Sequence, residues 1–134
     1  MSIKLKWLLT ASLVCLSQAV YAQDQAEKAF ADEVVQCAAY YQIASEAIGA
    51  MNAPQMQAVG ERLKISATDA ATLAEKYRSA EQVAKDIIAE KQQQIAKLGG
   101  SSNLGGLMGQ YKELCKTVVY EPQKRLDYWS MVTM

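Results

Sequence analysis

Hydrophobic positions along this chain recur at intervals of three and four and nowhere alternate as they would in a convincing strand. In residues 24–49, Phe30, Val34, Cys37, Tyr41, Ala44 and Ile48 follow that spacing, which lines up one face of an α-helix. Asp24, with Glu27 three positions on, makes a capping-box pattern at the start of the segment. Asn52-Ala53-Pro54 interrupts it, because proline restricts the residue before it and suits the first turn of a new helix. Past Pro54 the next proline is Pro122. An unbroken helix from Ala53 to Leu98 would be about 69 Å long, so a break is expected near Ser66 to Asp69, where Ser66, Thr68 and Asp69 are all good cap residues.

After that break Leu73, Tyr77, Ala80, Ala84, Ile87, Ile88, Ile95 and Leu98 are expected to share a face, with Lys91 to Gln94 as a solvated polar run. Gly99-Gly100-Ser101-Ser102-Asn103 closes the helix, glycine supplying the left-handed conformation of a C-terminal cap. Asn103 can cap the next helix, whose stripe is Leu104, Leu107, Met108, Tyr111, Cys115 and Val118. Glu121-Pro122 stops it, and Pro122 opens a short last helix carrying Leu126 and Trp129. Helices of this kind on short loops imply an all-α fold, an antiparallel bundle of three to four main helices plus a short C-terminal one.

Residues 1–22 follow a different pattern. Lys4 and Lys6 precede an apolar run from Trp7 to about Leu16, and Val20-Tyr21-Ala22 is a small-residue ending. This is the anatomy of a secretory signal peptide cleaved after Ala22. A rival site follows Ala19, and a lipoprotein would use Cys15, although Val14 stands where a small residue is wanted. The apolar run of about ten residues falls short of the roughly 20 that span a bilayer, so no membrane insertion is expected after cleavage. The rest, 23–134, is length for a single helical domain in the periplasm or secreted medium.

Compartment gives the cysteines their meaning. Cys15 leaves with the leader, so Cys37 and Cys115 remain to form one disulfide in an oxidising setting. Both lie on apolar stripes, so the bridge would clamp the first long helix to the penultimate one. Cys-x-x-Cys spacing is absent, which favours a staple over a redox pair.

Charge and composition mostly exclude. Fourteen Lys and Arg balance fourteen Asp and Glu, which leaves no basic footprint for nucleic acid. Histidine is absent, removing the commonest general base, zinc ligand and haem ligand. Asp32, Glu33, Glu75, Glu81, Asp86 and Glu90 fall mainly off the apolar stripes and are expected to be solvated. Met51 and Met56 flank a loop, but two thioethers without further soft ligands are a poor copper site. The glycines of 99–106 lack the lysine of a phosphate loop, and no calcium-loop pattern occurs. No catalytic residue, metal or cofactor is therefore expected.

Aromatic residues offer the one candidate contact surface. Tyr41, Tyr77 and Tyr111 lie on stripes and are expected in the core. Tyr40 lies off its stripe, and Tyr120, Tyr128 and Trp129 collect beside Arg125 near the C-terminus; these five make a protein-contact patch. The alternative, favoured on packing grounds, is that Trp129 and its neighbours fold back and seal one end of the bundle.

The segments Cys37-Ala38-Ala39-Tyr40-Tyr41, Tyr111-Lys112-Glu113-Leu114-Cys115 and Pro122-Gln123-Lys124-Arg125-Leu126-Asp127-Tyr128-Trp129 together resemble small exported helical proteins of bacteria and their phages. The resemblance covers both ends of the chain past the leader and leaves 50–105 unaided. It implies a disulfide-clamped helical fold and an envelope setting, and it implies no activity.

The leading expectation is an exported envelope protein that binds another protein, in the manner of inhibitors, immunity proteins or chaperone-like factors. The alternative is a small-ligand carrier with a site between helices lined by Tyr41, Tyr77, Met108 and Tyr111. An enzyme working through carboxylates or hydroxyls ranks third. Whether the apolar ending Trp129 to Met134 packs on its own bundle or on a second copy stays open at this level.

Overall fold

The structure is a computed structural model that describes the backbone of residues 3–99 and 103–134, and side chains from residue 21 onward within those ranges. Residues 1 and 2, the side chains of residues 3–20, which include Lys4, Lys6 and Cys15, and all of Gly100 to Ser102 lie outside the described residues. Five α-helices follow in order: α1 Ile3–Ala50, α2 Gln57–Ala74, α3 Ala80–Lys97, α4 Leu104–Tyr120 and α5 Pro122–Val132, with a 3₁₀ turn Pro54–Met56 before α2. No described residue is in a strand.

Helix α1 is the mast of the bundle, and α2, α3, α4 and α5 all pack against it. The expected stripe of Phe30, Val34, Cys37, Tyr41, Ala44 and Ile48 is buried throughout. So are Ala31, Glu33, Val35, Ala38, Ala39 and Tyr40, leaving Asp32 and Gln36 as the breaks in burial between Phe30 and Tyr41. A helix buried nearly all round is one with neighbours on every side. Its backbone runs through Asp24 without interruption, so the Asp24–Glu27 pattern starts no helix here.

The orientation of two neighbours follows from who meets whom. Ile48 packs on Gly60, where an added Cβ would stand 3.3 Å from the isoleucine Cγ2, while Phe30 meets Tyr77 edge-on at 5.5 Å. α2 is therefore antiparallel to α1. Cys37 bonds to Cys115 and Tyr40 stacks on Tyr111 at 5.7 Å, which makes α4 antiparallel to α1 as well. Both sulfurs are fully buried. With a sequence separation of 78, closing this loop removes chain entropy worth about 4.5 kcal/mol from the unfolded state.

Punctuation is as expected at three junctions. Asn52 takes a left-handed conformation (φ 49°) in the turn after α1, and Pro54 opens the next turn. Gly99 is left-handed (φ 65°) after α3, a position where a side chain would be strained. Asn103 Oδ1 accepts from the Gly106 amide at 3.1 Å and so caps α4.

The expected break at Ser66 to Asp69 is corrected: α2 runs straight through it, and the chain breaks at 75–79. The reason is where the three side chains go. Thr68 donates to the Lys64 carbonyl one turn back at 3.2 Å, and Ser66 and Asp69 both bind the Tyr120 hydroxyl of α4. Ser79, in an extended conformation, does the capping, its Oγ accepting from the Gln82 amide at 3.1 Å.

Moving the break resets the register of α3. Val83, Ile87 and Gln94 are buried, while Ala80, Ala84, Ile88 and Ile95 of the expected face are exposed. Lys91 to Gln94 is not a uniformly solvated run either. Lys91 pairs with Glu46 of α1 at 2.8 Å, and Gln94 is 1% exposed, its amide donating to the Gln36 carbonyl at 2.9 Å.

Candidate functional site

The C-terminal end of the bundle is organised around one carboxylate. Glu33 is placed on α1 three residues after Phe30 and four before Cys37, angles that turn it toward the core despite its charge. It is 6% exposed, so the expectation that it is solvated is corrected. Burial of a carboxylate demands donors, and α5 brings three of them. Arg125 Nε donates to Oε2 at 2.7 Å, Arg125 Nη2 to Oε1 at 2.6 Å, and the Trp129 indole N–H to Oε2 at 2.8 Å. Arg125 and Trp129 are four apart and so project from one face of α5. Hydrogen bonding to Glu33 raises the guanidinium further above its ordinary value.

The remaining aromatic residues build outward from this clamp. The Arg125 guanidinium lies 4.0 Å from the Tyr128 ring centroid, a cation–π contact, and Tyr128 meets Trp129 edge-on at 5.3 Å. Tyr120, at the end of α4, reaches across to α2: its hydroxyl donates to Asp69 at 2.8 Å and accepts from Ser66 at 2.9 Å. Burial pushes the Tyr120 hydroxyl above its ordinary pKa.

Of the five expected patch residues, the structure brings Arg125, Tyr128 and Trp129 together and sends the other two elsewhere. Tyr40 is corrected outright. It is 1% exposed, wedged between Tyr41 at 5.0 Å and Tyr111 at 5.7 Å, because α4 packs on that side of α1. Trp129 folds back on the bundle, as the packing alternative holds, with its indole nitrogen turned inward. The exposed apolar side chains here are instead Tyr128, Met131 and Val132 on α5 and Met134 past its end, whose exposures are 40%, 68%, 53% and 95%.

The four side chains named for a ligand cavity are packed on other side chains. Tyr111 stacks on Tyr40, Tyr41 lies against Tyr40, Tyr77 meets Phe30, and Met108 rests partly buried on the core. Clefts lie elsewhere. One of about 410 Å³ sits at the α1–α2 turn between Ile48, Asn52, Pro54 and Lys64, and one of about 530 Å³ runs along α1 and α2 between Glu46, Ala67, Ala71 and Glu75.

Charged side chains at the same level of α1 hold the frame on its neighbouring side. Arg78, in the 75–79 connection, binds Asp32 of α1 and, at 3.0 Å, Asp86 of α3, and it also donates to the Lys28 carbonyl. Burial works against its charge, yet these two carboxylates leave its pKa raised. Among the described residues no group of three or more Cys, Asp or Glu is placed to hold a metal ion, and no helix is long and apolar enough to cross a membrane.

Compared with known proteins, the chain matches no family model, no curated protein and no solved structure.

Proposed function

We propose that this chain is an exported protein of the bacterial envelope, released from a leader ending near Ala22, that works by binding another protein and catalyses no reaction. A buried disulfide, formed between cysteines that an oxidising compartment would pair, supports the setting. The non-catalytic part rests on where the ionisable groups are committed: Glu33 to Arg125, Asp32 and Asp86 to Arg78, Asp69 to Tyr120, and Glu46 to Lys91. Groups tied into such pairs are braces between helices.

One observation carries the binding role. Tyr128, Met131 and Val132 stand in water along the last turns of a helix that the Glu33 clamp fixes in place, with Met134 exposed just past its end. Soluble chains rarely leave clustered apolar side chains uncovered without a use for them, and a rigid presenting helix lowers the ordering cost of binding. Packing of Tyr41 and Tyr111 into the core weighs against the carrier alternative.

The test is capture from envelope extracts with the wild-type chain and with Met131→Glu/Val132→Lys, a pair of surface changes. A companion protein held by the wild type and lost by a variant of unchanged melting temperature supports the proposal. Identical companions, or none, overturn it. The same preparation should run in the periplasmic or secreted fraction at the mass of residues 23–134 less two hydrogens.

A further inference from the structure

Helix α5 is attached in a way that a second copy of the chain could reproduce. It contributes no fully buried residue. Its described polar links to α1 converge on Glu33, and its apolar ones come from Leu126 and Trp129, half-buried on the core. The connection to α4 is the single non-helical residue Glu121, followed by Pro122.

The backbone at that junction is hinged. Proline has no N–H to bond back into α4. The flanking bonds run from the Glu121 amide to the Thr117 carbonyl at 2.8 Å and from the Arg125 amide to the Glu121 carbonyl at 3.3 Å. Rotation about ψ of Glu121 carries the Glu121 carbonyl along with α5 and leaves the amide with α4. Both bonds therefore survive, and α5 swings as a unit at the cost of the clamp and the apolar contact.

We infer that α5 exchanges between two copies of this chain, each placing Arg125 and Trp129 on the other's Glu33. The exchanged dimer remakes the clamp and the Leu126 contact twice, so the contacts it gives up are those at the junction itself, which is the condition for exchange of an element between protomers at low cost. The occupant is specified by chemistry: an arginine and a tryptophan four apart on a short helix, meeting a buried carboxylate. Within one chain the one-residue tether gives α5 a high effective concentration, about millimolar or above. The closed monomer dominates in dilute solution, and exchange becomes visible when the home site is disabled. This inference is independent of what binds the outer face of α5.

Complementation tests it on full chains purified from the cell. A Glu33→Ala chain has an intact α5 with no home site, and an Arg125→Ala/Trp129→Ala chain has an intact site with a disabled helix. Mixed one to one at roughly 100 µM, below the tether's effective concentration, they should form a heterodimer in native mass spectrometry that neither forms alone. A mixture that stays monomeric, with both variants helical and melting cooperatively, overturns the inference. Should either variant fail to fold, Pro122→Ala decides. Freed of proline, α4 and α5 can join into one helix that no longer folds back, and the dimer fraction should rise at least tenfold over wild type; an unchanged monomer overturns the inference.

Discussion

Glu33 and Arg125 meet through two parallel hydrogen bonds of 2.7 and 2.6 Å across 92 positions of sequence. Breaking a buried pair from one side costs more than its net worth, because the abandoned charge stays buried. Arg125→Ala, which strands the 6%-exposed carboxylate, should lose about 3 kcal/mol. Glu33→Gln leaves an amide that still accepts from the indole and should lose less. Urea unfolding of both variants checks the order, and a reversed order would show the carboxylate to be hydrated.

Alkaline pH should unfold this chain by a route that the tyrosines set. Burial raises the Tyr41 hydroxyl far above its ordinary 10.0, and Tyr120, Tyr40 and Asp69 add to the shift. Burial also raises Tyr40, Tyr77 and Tyr111. A raised folded-state pKa means that the unfolded chain gives up its protons first. The stabilisation is whole below pH 10 and is lost as pH climbs past it. Denaturant midpoints should fall steeply above pH 10, in step with a delayed tyrosinate absorbance. A stability that holds level to pH 12 would contradict the burial of these hydroxyls.

Gln94 is an expensive residue where it stands. Its amide donates to the Gln36 carbonyl and to Glu90, but Oε1 is buried without a partner. An unmatched buried acceptor costs about 1–3 kcal/mol. Gln94→Met, similar in volume and without the orphan, should be neutral or stabilising by about 1 kcal/mol. A loss above 2 kcal/mol in thermal unfolding would mean that a partner for Oε1 exists in solution.

Capping can be tested at the two positions that compete for it. Ser79→Ala removes the cap of α3 and should cost about 1 kcal/mol. Thr68→Ala, in mid-helix with its hydroxyl bonded one turn back, should change stability by less than about 0.5 kcal/mol. Equal losses would place a helix end at both sites.

Most of the architecture is legible in the sequence because its signals are local. The stripe from Phe30 to Ile48, the left-handed Gly99, the Asn103 cap and Pro122 each act through neighbours within a turn or two. The disulfide is legible because, with Cys15 assigned to a leader, the other two cysteines leave one pairing. What failed required knowledge of distant partners. Ser66 and Asp69 look like caps until Tyr120, over 50 positions away, claims them. Tyr40 looks exposed until Tyr111 of α4, 71 positions on, stacks against it.

Glu33 and Gln94 are instructive in another way. By polarity Glu33 counts among the acids off the apolar stripes and Gln94 falls in a solvated run, yet Glu33 stands three after Phe30 and four before Cys37, and Gln94 seven after Ile87. Those spacings set both at core angles, where the structure buries them. A polar residue at a core angle is best taken as a buried group in search of partners, which at Glu33 leads directly to the Arg125–Trp129 pair.

The Cys37–Cys115 bond also makes a ring of the chain between them, a ring that includes α2, α3 and the first two thirds of α4. A protease that cuts anywhere inside it, at the 99–103 connector for instance, opens the ring but releases nothing, since both halves stay joined through sulfur. A cut after residue 115 leaves the tail with no covalent hold, kept in place only by the Glu33 clamp and its apolar contacts. Damage within the ring therefore leaves one molecule, visible as two pieces when reduced, while a cut beyond it frees the segment that presents Met131 and Val132 whenever the clamp opens.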